Sequence, residues 1–288
     1  MSAAEYRLGL LLVTASAVAW STAGFFTRLI PLDSWTLLAW RGAFGALGIA
    51  MAITVMERRG AWRSFRDMGW PGWLFAVVSA AGMIFFITSL RHTTVAHVAV
   101  IYATVPFVAA ALGWLAMRER PTIRAMIASL IALAGVVLMV GLGAEGSLPG
   151  DMLAFGMTLC VAAMMVIARR YRAISVMPAA CISALLSGLI VWPLGEPFVV
   201  SGQELLLLAL FGLVNSALGL VLFTLGARLQ PAVETALIGA LDAPLAPLWV
   251  WLAFGETPGL GTLVGGAIVF LAVAGHITVE AQRASQKP

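Results

Sequence analysis

Charge is scarce in this chain. Only 10% of its 288 residues are charged, against 61% hydrophobic ones and a mean hydropathy of +1.00. No soluble domain of this size can cover so much apolar surface. Histidine and cysteine are also scarce. His92, His97 and His276 show no metal-ligand or nucleophile-base spacing, which argues against an intramembrane enzyme. Cys160 and Cys181 fall in separate apolar runs, so neither a zinc site nor a redox pair is suggested, and core packing is the simpler role. No metal and no cofactor are expected. Long polar stretches are missing as well, which leaves almost nothing for an extramembrane domain. The pI near 9.7 does not point to nucleic acid, because the basic residues sit in short loops beside apolar runs rather than on one folded basic face.

What is present is apolar sequence in lengths that suit a bilayer. A hydrocarbon core about 30 Å thick needs roughly 20 apolar residues per helix, and helices are favoured there because they pair their own backbone groups. Ten such runs can be marked, at roughly 8–28, 35–56, 70–90, 95–117, 123–142, 150–168, 176–195, 204–226, 232–254 and 260–279. The expected fold is an all-α polytopic membrane protein with ten transmembrane helices. Ala15-Ser16-Ala17 imitates a signal-peptide cleavage site. The run continues apolar to Phe26 with only Arg7 beside Glu5 as its basic flank, so it reads as helix 1.

The charges set an orientation. With both termini in the cytoplasm, that side holds Arg7, then Arg58, Arg59, Arg63 and Arg66, then Arg118, Arg120 and Arg124, then Arg169, Arg170 and Arg172, then Arg228, Arg283 and Lys287, which is 14 of the 17 basic residues. Arg28 and Arg91 fall on the outer side and Arg41 within helix 2, a strong positive-inside bias. The outer loops carry mainly Asp33, Glu145, Glu196, Glu204 and Glu256.

The chain also repeats itself. A shift of 137 places Ser79 on Ser216, Gly82 on Gly219, Phe86 on Phe223, Arg91 on Arg228, Trp114 on Trp251, Glu119 on Glu256 and Pro121 on Pro258. A shift of 141 places Gly9 on Gly150 and Arg28 on Arg169. The unit therefore holds five helices, over 1–142 and 150–280. An odd number sends the second unit into the membrane from the other side, giving an inverted repeat about an axis in the membrane plane, the geometry alternating access requires.

Ten helices in two five-helix halves, each with a Glu-x-Pro turn (Glu119-Arg120-Pro121, Glu256-Thr257-Pro258) followed by a Gly-rich helix, resemble the EamA-type transporters of the drug/metabolite transporter superfamily. The resemblance spans the chain and is greatest to the amino-acid exporters of the YddG type. It implies a central cavity lined by helices 1, 3, 4, 6, 8 and 9 and export of small metabolites.

Ionisable groups inside spans are rare, and each is a default functional hypothesis. Asp242 lies about ten residues from either end of helix 9. It reads as a site for a proton or a substrate ammonium, or as a buried acid that fixes packing. Glu234 lies two turns earlier, roughly 12 Å along the axis and about 80° around it. It can face the same cavity, but a negative charge also suits the first helical turn. His97, its partner under the shift of 137, is read as a cap or packing residue against a proton relay. Arg41 is placed to snorkel toward outer water, with substrate carboxylate binding as the alternative.

Pro244 and Pro247 cannot donate to the carbonyls of Ala240 and Ala243, nor Pro106 to that of Tyr102. LDAPLAP (241–247) is thus expected to interrupt helix 9 at the midplane, beside a wet cavity. On helix 1, Ser16 and Trp20 fall on one stripe, as do Asn215 and Ser216 on helix 8 and Ser79 and Phe86 on helix 3. Close packing explains the small residues as well as a pathway does. Asn215 and Tyr102 need hydrogen-bond partners that a substrate could supply. Trp35, Trp62, Trp70 and Trp73 read as interfacial belt. The leading expectation is a monomeric exporter of small metabolites, amino acids first, in a bacterial-type inner membrane. Its partners are a small-molecule substrate and the lipid bilayer, and efflux of lipophilic cations is the alternative.

Overall fold

The computed structural model describes residues 3–57, 60–141, 147–171, 176–255 and 257–286. Arg58, Arg59, Glu145, Arg172, Glu256 and Lys287, counted above among the loop charges, lie outside them. The described residues form no strand, and ten of their helices are long and apolar enough to cross a membrane.

Six of the ten are continuous. Helix 2 spans Ser34–Glu57, helix 3 Gly69–His92, helix 5 Ile123–Val140, helix 6 Leu148–Arg170, helix 7 Val176–Val191 and helix 10 Leu260–Gln286. Polar residues start three of them by accepting N–H groups that the first turn leaves unpaired. The Asp33 carboxylate accepts from the backbone N–H of Trp35 at 2.9 Å and of Thr36 at 3.0 Å. Ser147 accepts from Gly150, and Thr122 from Ala125. Helix 8 begins with a reciprocal capping box between Ser201 and Glu204.

The other four are irregular. Helix 1 runs Ala3–Ser21, turns at Thr22 and resumes over Ala23–Leu29. Helix 8 (Gly202–Ala227) carries a π-helical segment at Gly212–Leu218. Helix 4 is split into helix 4a, Val95–Tyr102, and helix 4b, Val105–Met117. Helix 9 is split into helix 9a, Ala232–Gly239, and helix 9b, Asp242–Phe254. Adding 137 to each bound of helix 4a and 4b gives the bounds of 9a and 9b. Both second halves end in a left-handed residue, Arg118 (φ 57°) and Gly255 (φ 70°), a common helix stop.

The principal packing partners are helices 2 and 7, 3 and 6, 5 and 10, and 1 and 8. Small residues let two of these pairs approach closely. A Cβ on Gly42 would sit 2.7 Å from the Cα of Gly188, and one on Gly265 2.4 Å from the carbonyl oxygen of Gly135. Helix 9 divides by environment as well as by geometry: every residue of helix 9a is buried, and none of helix 9b is.

Candidate functional site

Helix 9a packs along helix 4b, which brings the two interruptions together. Tyr102, the last residue of helix 4a, and Asp242, the first of helix 9b, lie within electrostatic reach of each other, and both are partly exposed. Among the described residues no side chain forms an ion pair with Asp242, whose carboxylate takes only the adjacent Ala243 N–H. The Tyr102 hydroxyl is neither hydrogen-bonded to a described residue nor sealed from solvent. A phenol and a carboxylate with spare capacity thus share the junction of two broken helices.

The break in helix 9 falls one step earlier than expected. It lies at Ala240–Leu241, just ahead of the prolines. Pro244 would clash with the carbonyl four residues back, so the helix breaks there and restarts with Pro244 in its first turn, where a missing N–H is harmless. The Ala240 carbonyl is not free, since it accepts from the Ala243 N–H at 3.3 Å. Pro106 likewise occupies the first turn of helix 4b. Only Pro247 sits inside a helix, where it withholds the donor for Ala243. The break also removes the continuous face that was to join Glu234 with Asp242.

A second cluster forms where helix 1 crosses helix 8. The Ser16 hydroxyl donates to the Gly219 carbonyl at 2.9 Å, and the Trp20 ring lies 4.8 Å from that of Phe223. Trp20 passes so close to helix 8 that a Cβ on Gly219 would come within 2.6 Å of its Cδ1 and Nε1. The Asn215 amide donates to the carbonyls of Ala19 at 3.3 Å and Trp20 at 3.1 Å, near the point where helix 1 turns. Its own oxygen accepts from Arg41 Nη1 at 3.0 Å.

Arg41 therefore does not snorkel. It is 8% exposed and reaches inward, because Asn215 holds it more strongly than distant water can. Ser79 bonds Ser183 of helix 7 at 2.6 Å, and Ser216 packs against Gly45 of helix 2, whose added Cβ would meet it at 2.4 Å. Both tie helices together. Phe86 packs with Val98, Ala154 and Met157 between helices 3, 4 and 6.

Each end of the bundle has a polar contact between helices. At the arginine-rich end, the Tyr6 hydroxyl donates to the buried Glu234 carboxylate at 2.5 Å. Glu234 also borders a cavity of about 160 Å³ that Glu119 and Arg120 help to line, and Arg169 pairs with Glu119 at 3.2 Å. At the opposite end, His97 Nδ1 lies 3.1 Å from Asp151, which also accepts from the Thr93 hydroxyl at 2.8 Å. Tyr6, Asp151, Ser183 and Met83 were not evident from the sequence. Asp151, an acid in the first turn of a span, carried a readable signal, while the other three have ordinary surroundings in sequence.

The two halves of this arrangement match one family model twice. The EamA-like transporter family covers residues 7–141 and again 148–278. The chain belongs to that family. An uncharacterized transporter of Bacillus subtilis (strain 168), YwfM, is 27% identical over 96% of this chain and 95% of its own. A crystal structure of another protein superposes with a TM-score of 0.81 at 19% identity, covering 95% of this chain and 98% of that one. This second likeness establishes a shared fold. As an EamA-like transporter, the protein is a multi-pass membrane protein that moves solutes.

Proposed function

We propose that this EamA-like transporter exports small metabolites, amino acids foremost, by alternating access around the junction of helices 4 and 9. The observation that carries the reading is the pair of interruptions, 137 residues apart and with matching bounds, beside which Tyr102 and Asp242 lie within electrostatic reach of each other with unused hydrogen-bonding capacity. A substrate ammonium supplies the cation that Asp242 lacks, and a substrate acceptor satisfies Tyr102. Five spans per half make the second half enter the membrane inverted, and two inverted halves give one site two openings. The arginine-rich loops put both termini in the cytoplasm of a bacterial-type inner membrane, and ten helices suffice for a pathway in a monomer.

Asp242 equally suits a lipophilic cation, so efflux of such cations is the second reading. Uptake of a panel of labelled amino acids into proteoliposomes, with and without a pH gradient, separates the two. Saturable amino-acid uptake that fails in Asp242→Asn supports amino-acid export through this junction. Movement of tetraphenylphosphonium with no amino acid moved under either condition favours cation efflux instead.

A further inference from the structure

We infer that Arg41 is the binding site for a substrate carboxylate, with Asn215 as its positioning residue. The inference rests on the transport reading above and narrows it to solutes that carry a carboxylate.

The guanidinium lies deep in the bundle. Gly212 packs against the Arg41 backbone carbonyl, yet the side chain ends on Asn215, which stands midway along helix 8 and three residues, or about 4.5 Å, further from the helix start. Helix 2, which carries Arg41, packs on helices 7 and 8. The side chain leaves it to meet helix 8 through Asn215 and Phe211 and helix 3 through Met83.

Among the described residues no carboxylate lies within ion-pair distance of Arg41. A guanidinium has five N–H donors. One Nη1–H donates to Asn215 Oδ1 at 3.0 Å, an Nη2–H points at the Met83 sulfur at 2.9 Å, and the buried Nε–H has no partner. The remaining neighbour is the Phe211 ring, 5.6 Å from the guanidinium carbon. A permanent cation at this depth is costly unless paired, and a neutral side chain would serve as a strut to Asn215 at lower cost. The arrangement makes sense when an anion visits.

The unpartnered edge fits a carboxylate. Bidentate arginine-carboxylate pairing uses two parallel N–H bonds, and the Nε–Nη2 edge offers them. Nε is free, and Nη2 holds only a thioether, a weak acceptor on a flexible chain that can swing aside. The opposite edge is fixed by Asn215, whose amide is itself held by the Ala19 and Trp20 carbonyls. The fork is therefore oriented before the substrate arrives. A lone buried guanidinium also disfavours a substrate that is cationic overall.

The test is competition in proteoliposomes that take up labelled phenylalanine, leucine and threonine. With the wild type, 3-phenylpropionate, which keeps the carboxylate and lacks the ammonium, is expected to compete. Phenethylamine, which keeps the ammonium and lacks the carboxylate, is expected not to. Arg41→Gln should raise KM for the amino acids about 10- to 100-fold, as the loss of a charge-assisted pair implies, with a smaller change in maximal rate. Arg41→Lys, which keeps the charge and loses the fork, should fall between. Phenethylamine competing as well as 3-phenylpropionate would overturn the inference, as would an unchanged KM in Arg41→Gln or equal competition by inorganic phosphate. Should Arg41→Gln fail to fold, the wild-type competition decides alone. Wild-type protein that moves none of the three amino acids would overturn the transport reading, and the inference with it.

Discussion

A hydroxyl that donates to a buried carboxylate can be removed one atom at a time. Tyr6→Phe deletes the oxygen that meets Glu234 at 2.5 Å and leaves the acid short of a donor. We expect a loss of about 1–3 kcal/mol, read as a lower melting temperature in detergent, whereas Glu234→Gln, whose amide can still bond the phenol, should lose less. Asp33 gives a pH dependence outside the membrane spans. Its slight burial works upward, but hydrogen bonds from Thr36 and Trp35, and the charge of Arg91, hold it below the usual carboxylate range. A lowered folded value means that the cap stabilises above the ordinary value of about 3.9 and is lost as pH falls through the still lower folded value. Hydrogen-exchange protection of the first turn of helix 2 should therefore persist at pH 5 and fall only below about 3.9. Loss of protection already at pH 5 would contradict this. Asp242 and Asn215 were legible as residues of interest because polar groups stand out in apolar runs. Their neighbours were not, since Tyr102 comes within electrostatic reach of Asp242, and Trp20 and Arg41 bond Asn215, through crossings that no local pattern encodes.

At the scale of the helix, the interruptions set the geometry. Their presence in helices 4 and 9 was readable from Pro106, Pro244 and Pro247. The position of the break was not, because a proline acts on the carbonyl four residues back and can then sit harmlessly in a new first turn. Only Pro247 retains an interior effect, so Pro247→Ala should restore a donor for Ala243 and raise thermal stability. Its transport rate should fall if bending of helix 9b is part of the cycle, and an unchanged rate would make the kink a static one. Gly219 is the tighter constraint. Gly219→Leu places a side chain where Trp20 already lies 2.6 Å from an added Cβ, and it should strongly reduce folded yield, while Gly24→Ala, with open space around it, should not. The π segment at Gly212–Leu218 had no signature in the sequence. It surrounds Asn215, whose three hydrogen bonds to helices 1 and 2 are the visible compensation for the irregular backbone.

For the whole molecule, ten spans and their pairing in two halves were evident from apolar length and the 137-residue register. Arginine distribution adds an orientation that can be checked directly. With Cys160 and Cys181 replaced by alanine, a membrane-impermeant maleimide applied to intact cells should label Phe198→Cys and not Trp62→Cys, both side chains being well exposed. The reverse pattern would turn the molecule over. Glu234 and His97, which carry the polar contacts at the two ends, to Tyr6 and to Asp151, lie 137 residues apart in helices 9 and 4.

A junction exposed to the two sides in turn predicts counterflow. Proteoliposomes loaded with unlabelled leucine and diluted into labelled leucine, without any ion gradient, should accumulate label transiently above its equilibrium level, because the excess unlabelled leucine inside competes with the label for the carrier's return. Uptake that rises only to equilibrium, indifferent to the loaded interior, would mean a channel-like path and would contradict the account.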